Sequence, residues 1–214
     1  MGKKIIVFTH VFPYASPYEQ FVEGEIKYLS NEFDEVFLLP VSRSANSAKC
    51  RTIGPGNVYV RRLARGNKLG EALKSLFSVA IFNRNFYSDI AALCKKGLMF
   101  NRLAILQLLT YHTNSYLIVK LALSQFKNLD ISTGDRVVLY SYWLSETAYA
   151  CCLLKEQLQR LGYKDVRAVA RAHGSFDTFI STGMKGFKPC IRYENQKLDR
   201  IFPVSKKGYQ YLRG

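Results

Sequence analysis

The sequence predicts an α/β fold: one Rossmann-like, doubly wound domain with a mostly parallel sheet and an inserted helical segment at roughly residues 67–128. Three observations predict it. Short runs such as Ile5–Phe8 and Val36–Leu39 are apolar throughout, as in strands covered on both faces. These runs alternate with longer stretches whose apolar residues recur every three or four positions. The opening order of strand, helix, strand requires a crossover, and crossovers between parallel strands are right-handed. A length of 214 residues suits one domain with a substantial core.

Lys4–His10 reads as the first strand. In Ser16-Pro17-Tyr18-Glu19, Ser16 suits an N-cap, Pro17 the first helical position and Glu19 the capping-box position. The helix over 17–31 places Phe21, Val22, Ile26 and Leu29 on one side. Glu35–Pro40 and Asn57–Val60 read as the next strands, divided by the turn at Gly54-Pro55-Gly56. Residues 68 to about 127 carry a helical pattern with breaks near Asn83–Asn85 and at Gly97. Asp135–Ser141 returns to strand. A helix follows with Leu144, Ala148, Cys151, Leu154, Leu158 and Leu161 as its stripe, and Gly162 stops it. Asp165–Arg171 and Ile201–Val204 complete the strands, and Ser205 can cap a terminal helix running through Leu212.

The formal net charge is +15 and it is unevenly placed. Residues 43–102 hold twelve Lys/Arg against two acids, and residues 185–213 eight against two. Local positive charge suits a surface that meets phosphate or anionic lipid; the alternative is a solvated face that aids solubility. Five cysteines without a C-x-x-C pair indicate neither a disulfide framework nor a zinc site, so no metal is expected, and reduced thiols suit the cytoplasm. Leu103–Leu123 is interrupted by Gln107, His112, Asn114 and Lys120, a pattern that suits a buried helix better than a membrane span. His112 reads as structural. Neither G-x-G-x-x-G nor G-x-x-x-x-G-K-[ST] occurs, which argues against a dehydrogenase and a P-loop ATPase.

In a doubly wound sheet the ligand lies beyond the carboxyl ends of the strands. The loops after residues 10, 141, 171 and 204 carry His10, Trp143, His173 and Ser205. Phe12-Pro13-Tyr14 with Glu19–Leu29, Tyr140-Ser141-Tyr142-Trp143-Leu144, Arg171-Ala172-His173-Gly174-Ser175-Phe176-Asp177, and Asp199–Ser205 with Gly208 follow in order along the chain. Together they resemble the amino-terminal, acceptor-binding domain of bacterial retaining GT-B glycosyltransferases that build surface polysaccharides such as capsule and exopolysaccharide. The resemblance covers nearly the whole chain.

It implies half of a two-domain enzyme, inactive alone, that transfers a sugar from a nucleotide-sugar to a lipid- or glycan-linked acceptor. The donor would bind the carboxyl-terminal domain, which has no counterpart in this sequence, and this domain would bind no cofactor itself. A one-domain protein with a separate donor-binding partner chain fits the same residues. The resemblance makes His173 the catalytic-site candidate; the residue type alone favours a histidine satisfied by backbone carbonyls beside the sheet. Tyr142 and Trp143 are read as a sugar-stacking platform or as a cap over the core. Arg171 binds an acceptor phosphate or pairs with Asp177, and Ser175 and Asp177 share its loop. The family has glycines in its first loop where this chain has Tyr14-Ala15-Ser16-Pro17, so Ser16 at the helix start is the remaining donor-phosphate contact. His10, Glu19 and Ser205 are further candidates. Arg61, Arg62, Arg65, Lys68, Lys95 and Lys96, interspersed with aromatic and leucine residues, suit an anionic membrane surface at the inner face of the cell membrane. The competing reading is a basic Rossmann-like module that binds nucleic acid; charge and aromatics alone support it, and no recognition-helix, zinc-finger or RNP pattern is present.

Overall fold

The computed structural model of the chain describes residues 1–14, 19–42, 50–63, 83–173 and 187–213. Six strands form one sheet: β1 (Lys3–Thr9), β2 (Glu35–Pro40), β3 (Val58–Val60), β4 (Arg136–Ser141), β5 (Asp165–Ala172) and β6 (Arg200–Pro203). Their order is β3-β2-β1-β4-β5-β6 and every pairing is parallel. The described helices are α1 (Gln20–Glu32), α2 (Arg84–Lys95), α3 (Arg102–Phe126), α4 (Glu146–Arg160), α5 (Ile191–Lys197) and α6 (Lys206–Arg213). The arrangement is α/β and Rossmann-like, with strand order reversing between β1 and β4.

Alternation along each strand builds the two faces. Ile6 and Phe8 of β1, Phe37 and Leu39 of β2 and Val137 and Leu139 of β4 face one layer. There they meet Ile118, Val119, Ala122 and Phe126 of α3 and Ala148, Cys151, Leu154 and Leu158 of α4. Ile5, Val7, Val36 and Leu38 face the other side and pack on Val22 and Ile26 of α1. Both faces are covered, which is why the strands are apolar at successive positions. Cys151 and Cys152 are buried core residues, as their apolar setting predicts.

Helix ends follow the local chemistry. The Asn83 side chain accepts from the Asn85 and Phe86 amides and starts α2; Asn101 does the same for α3. Gly97, at φ 67°, turns the chain between them, and Gly162, at φ 94°, follows α4. Ser205 accepts from the Gly208 amide at 3.1 Å, the predicted N-cap of the last helix. The helical segment read at 67–128 is described from residue 83 onward, where it forms α2 and α3; residues 64–82 lie outside the described residues.

Two expectations need correction, and one helix was not foreseen. Phe21 is 75% exposed, because the buried stripe of α1 is Val22 and Ile26. Leu161 is also exposed, since α4 ends one residue before it. Helix α5 was not anticipated: its sequence, IRYENQK, offers no apolar stripe, and its buried residue is Glu194.

Candidate functional site

The crevice of a doubly wound sheet opens where strand order reverses, here at the carboxyl ends of β1 and β4. The chain leaves β1 at His10 and β4 at Tyr142-Trp143, while β5 delivers His173 beside them. Trp143 lies 5.9 Å from His10 and 4.4 Å from His173, centroid to centroid. All three rings are half-buried, so each keeps an accessible part. His10 Nε2 is 3.5 Å from Ser145 Oγ at the head of α4. Ser145 was not singled out from the sequence; a serine before a helix reads first as a cap, yet its side chain caps nothing here.

Glu19 organises this end of the sheet. It is 2% exposed, and its Oε1 accepts from the His10 amide at 2.7 Å and from Trp143 Nε1 at 2.8 Å. Its Oε2 accepts from the Val11 and Phe12 amides at 2.7 and 2.6 Å. The capping-box reading of Glu19 is therefore wrong: the residue stands at the start of α1 but makes no side-chain cap bond. Its carboxylate instead fixes the β1 loop and the indole, four donors sharing one buried anion.

Tyr142 is fully buried and packs with Val7, Phe12 and Tyr140. The platform reading thus passes to Trp143 alone, and Tyr142 takes its alternative as a core residue; burial pushes its phenol up to about 12. Tyr142 still shapes the site from below, with its ring 4.7 Å from that of His173. Arg171 pairs with Glu25 of α1 and lies 5.5 Å over the Tyr142 ring. Glu25, which also accepts from Tyr140 Oη at 3.0 Å, was missed in the sequence because it faces β5 only once the sheet has formed. Ser16, Ser175 and Asp177 lie outside the described residues, as do Arg65 and Lys68. Arg61, Arg62, Lys95 and Lys96 are exposed. Arg62 stacks on Tyr14, 4.5 Å from its centroid, and Lys95 sits in the last turn of α2, where a cation complements the helix dipole. Ser205, occupied in capping, belongs to α6.

Burial, followed by the nearby Arg171 charge, holds the His173 imidazole below its usual range. Protonation of an imidazole against an indole quenches that indole, and Trp143 is the sole tryptophan of the sequence. In a His10→Gln background, which removes the second imidazole stacked on the indole, Trp143 fluorescence is expected to fall on acidification with a midpoint below 6.5, the ordinary histidine value. A midpoint at or above 6.5 in that background, or a step that persists when His173→Gln is added to it, contradicts this assignment. The sign for stability is the same: the depressed value weakens the fold as pH falls through 6.5, where the unfolded chain takes up the proton first.

A second polar cluster lies in the helical layer. Asp89 of α2, His112 of α3 and Cys190, which precedes α5, are all buried with their polar atoms in contact. Beside it, Lys188 pairs with Glu194 and Tyr111 Oη donates to Glu194 at 2.5 Å. Tyr111 Oη also lies 2.9 Å from the Ser145 carbonyl, which ties this cluster to the crevice.

The sequence matches no known protein-family description and no curated protein.

Proposed function

We propose that this domain is the acceptor-binding half of a glycosyltransferase, acting with a donor-binding domain that holds a nucleotide-sugar. The observation that carries the reading is the ring cluster at the switch point, with Trp143 between His10 and His173. An indole face packs on the C–H face of a sugar ring, and the half-buried His10 imidazole beside it can bond a hydroxyl. The His173 ring, its Nε2 buried and its titration held below the usual range by burial, backs the indole from the other side. Glu19 positions the indole and the β1 loop, and Arg171 with Glu25 holds the β5 end against α1.

The surface supports a lipid-linked acceptor at a membrane. Phe100 is 98% exposed, with Met99, Leu103 and Leu106 also exposed beside Lys95, Lys96 and Arg102. Apolar side chains set among cations suit an anionic bilayer surface. Among the described residues no helix is long and apolar enough to cross a membrane, so contact with the bilayer would be at its surface.

Trp143 supplies the test. Vesicles carrying a polyprenyl-diphosphate-linked disaccharide are expected to change Trp143 emission saturably, and the change is expected to weaken at least tenfold in His173→Ala. Single-stranded or duplex nucleic acid is expected to have no such effect at physiological salt. A response to nucleic acid that survives that salt, with none to the glycolipid, would favour the nucleic-acid module instead.

A further inference from the structure

Strands β2 and β3 are parallel neighbours, so the chain between them returns from the carboxyl edge of the sheet to its amino edge. A helix usually makes such a return. Here its described part, residues 50–57, contains none and passes beside α1. Both ends of this segment are pinned. At the carboxyl edge, Cys50 bridges to Tyr14 and the Arg51 amide donates to the Pro13 carbonyl at 3.1 Å. At the amino edge, Asn57 Nδ2 donates to the Ser30 and Phe33 carbonyls, both at 2.9 Å, where α1 ends. A helix with its side chains is about 10 Å across. The thinner segment that stands in its place leaves a slot of about 440 Å³ along the flank of α1. That volume falls within the usual range of small-molecule sites, roughly 300–1,000 Å³.

The slot joins an apolar lining to a basic margin. Phe12, Ile26, Ile53 and Pro55 line it, and Phe12 and Ile26 are 4% and 3% exposed. The exposed Arg51, Lys27 and Glu23 complete the lining, two cations against one carboxylate. Arg51 Nη1 lies 3.2 Å from Glu23 Oε2 with both side chains exposed. Water already competes for such a pair, so a phosphate oxygen can take the guanidinium at small cost. This combination complements an apolar chain that ends in phosphate. The slot also shares a wall with the crevice. Phe12 belongs to the same core cluster as Tyr142, and its amide donates to Glu19 Oε2 at 2.6 Å. The other oxygen of that carboxylate accepts from Trp143 Nε1 at 2.8 Å. One buried anion therefore positions both the wall of the slot and the indole.

We propose that this slot holds the first isoprene units of the acceptor's lipid carrier, with Arg51 and Lys27 on the carrier's diphosphate. Resting on the acceptor reading above, this assignment puts the carrier on the α1 side of the crevice. Chain, diphosphate and sugar then follow in that order from the slot to Trp143. The slot takes only the start of a carrier chain, and the remainder stays in the bilayer.

The test uses the whole 214-residue chain and farnesyl diphosphate whose terminal isoprene is replaced by a benzophenone. The probe carries no sugar, so it reports on the slot apart from the sugar site. Saturable photo-crosslinks are expected at Ile26, Ile53 and their neighbours in the slot. Unlabelled farnesyl diphosphate is expected to displace the probe, and dimethylallyl diphosphate, which buries less chain, to do so about tenfold less well or worse. Arg51→Ala, a change at an exposed side chain, is expected to weaken the probe by about tenfold, the loss of one charge-assisted hydrogen bond. No saturable crosslink, crosslinks confined to residues 99–106, equal competition by the two diphosphates, or unchanged affinity in Arg51→Ala would overturn the proposal. None of these results touches the Trp143 response to the glycolipid. Crosslinks in the slot with no such Trp143 response would instead overturn the sugar site and keep the prenyl-diphosphate site.

Discussion

Replacing Lys188 with methionine is expected to destabilise the domain by about 3–5 kcal/mol, the usual cost of removing one partner of a buried ion pair. The Lys188 and Glu194 side chains are 1% and 0% exposed. Tyr111 Oη donates to the other Glu194 oxygen at 2.5 Å, and Lys188 Nζ lies 5.7 Å from the centre of the Tyr111 ring. Burial raises the Glu194 carboxyl above its usual range even beside the lysine. Without Lys188 that charge has only a phenol to face. The deficit against the wild type should therefore shrink as pH falls, because protonating Glu194 removes the orphaned charge. Adding Glu194→Gln to Lys188→Met should recover much of the loss. Urea unfolding midpoints for the three proteins at two pH values check this. A Lys188→Met loss below 1 kcal/mol would show that the pair is not buried as described.

Glu19→Ala is expected to cost about 3 kcal/mol or more, since it strands three backbone amides and an indole N–H at once. Glu19→Gln should fall between the two, because the amide nitrogen accepts nothing and two of the four donors lose their partner. The loss should also be visible at Trp143. Freed from Oε1, the indole should emit further to the red in Glu19→Ala than in the wild type, at denaturant concentrations where both remain folded. If Glu19 acted only as a helix cap, the substitution would cost about 1 kcal/mol and leave Trp143 emission unchanged.

These two sites show what the sequence discloses and what it conceals. The strands were legible because each is buried on both faces and written as a continuous apolar run; β1, β2 and β4 begin and end within a residue or so of expectation. The N-cap at Ser205 was legible because capping is local. Glu19 misled for the same reason: Ser-Pro-Tyr-Glu before an apolar run satisfies the capping-box pattern, and nothing local reveals three amides waiting eight residues upstream. The crevice was legible to the extent that strand ends predict it, which placed His10, Trp143 and His173 together. Tyr142 was not, because strand parity, which buries it, fails to distinguish core from platform where the strand gives way to loop. Pairs made by tertiary packing left no sequence signal, as with Glu25 and Arg171, Lys188 and Glu194, or Asp89 with His112 and Cys190.

The central claim is that the β1/β4 switch point receives the acceptor. The chain has three histidines, two at the crevice and His112 in the helical layer. Imidazole NMR of the chain, titrated with a short-chain polyprenyl-diphosphate disaccharide, tests the claim most directly. His10 and His173 ring signals and the Trp143 indole N–H are expected to shift together along one saturable curve while His112 stays in place. A saturable shift confined to His112, or no shift at His10 and His173 at high ligand concentration, would contradict it.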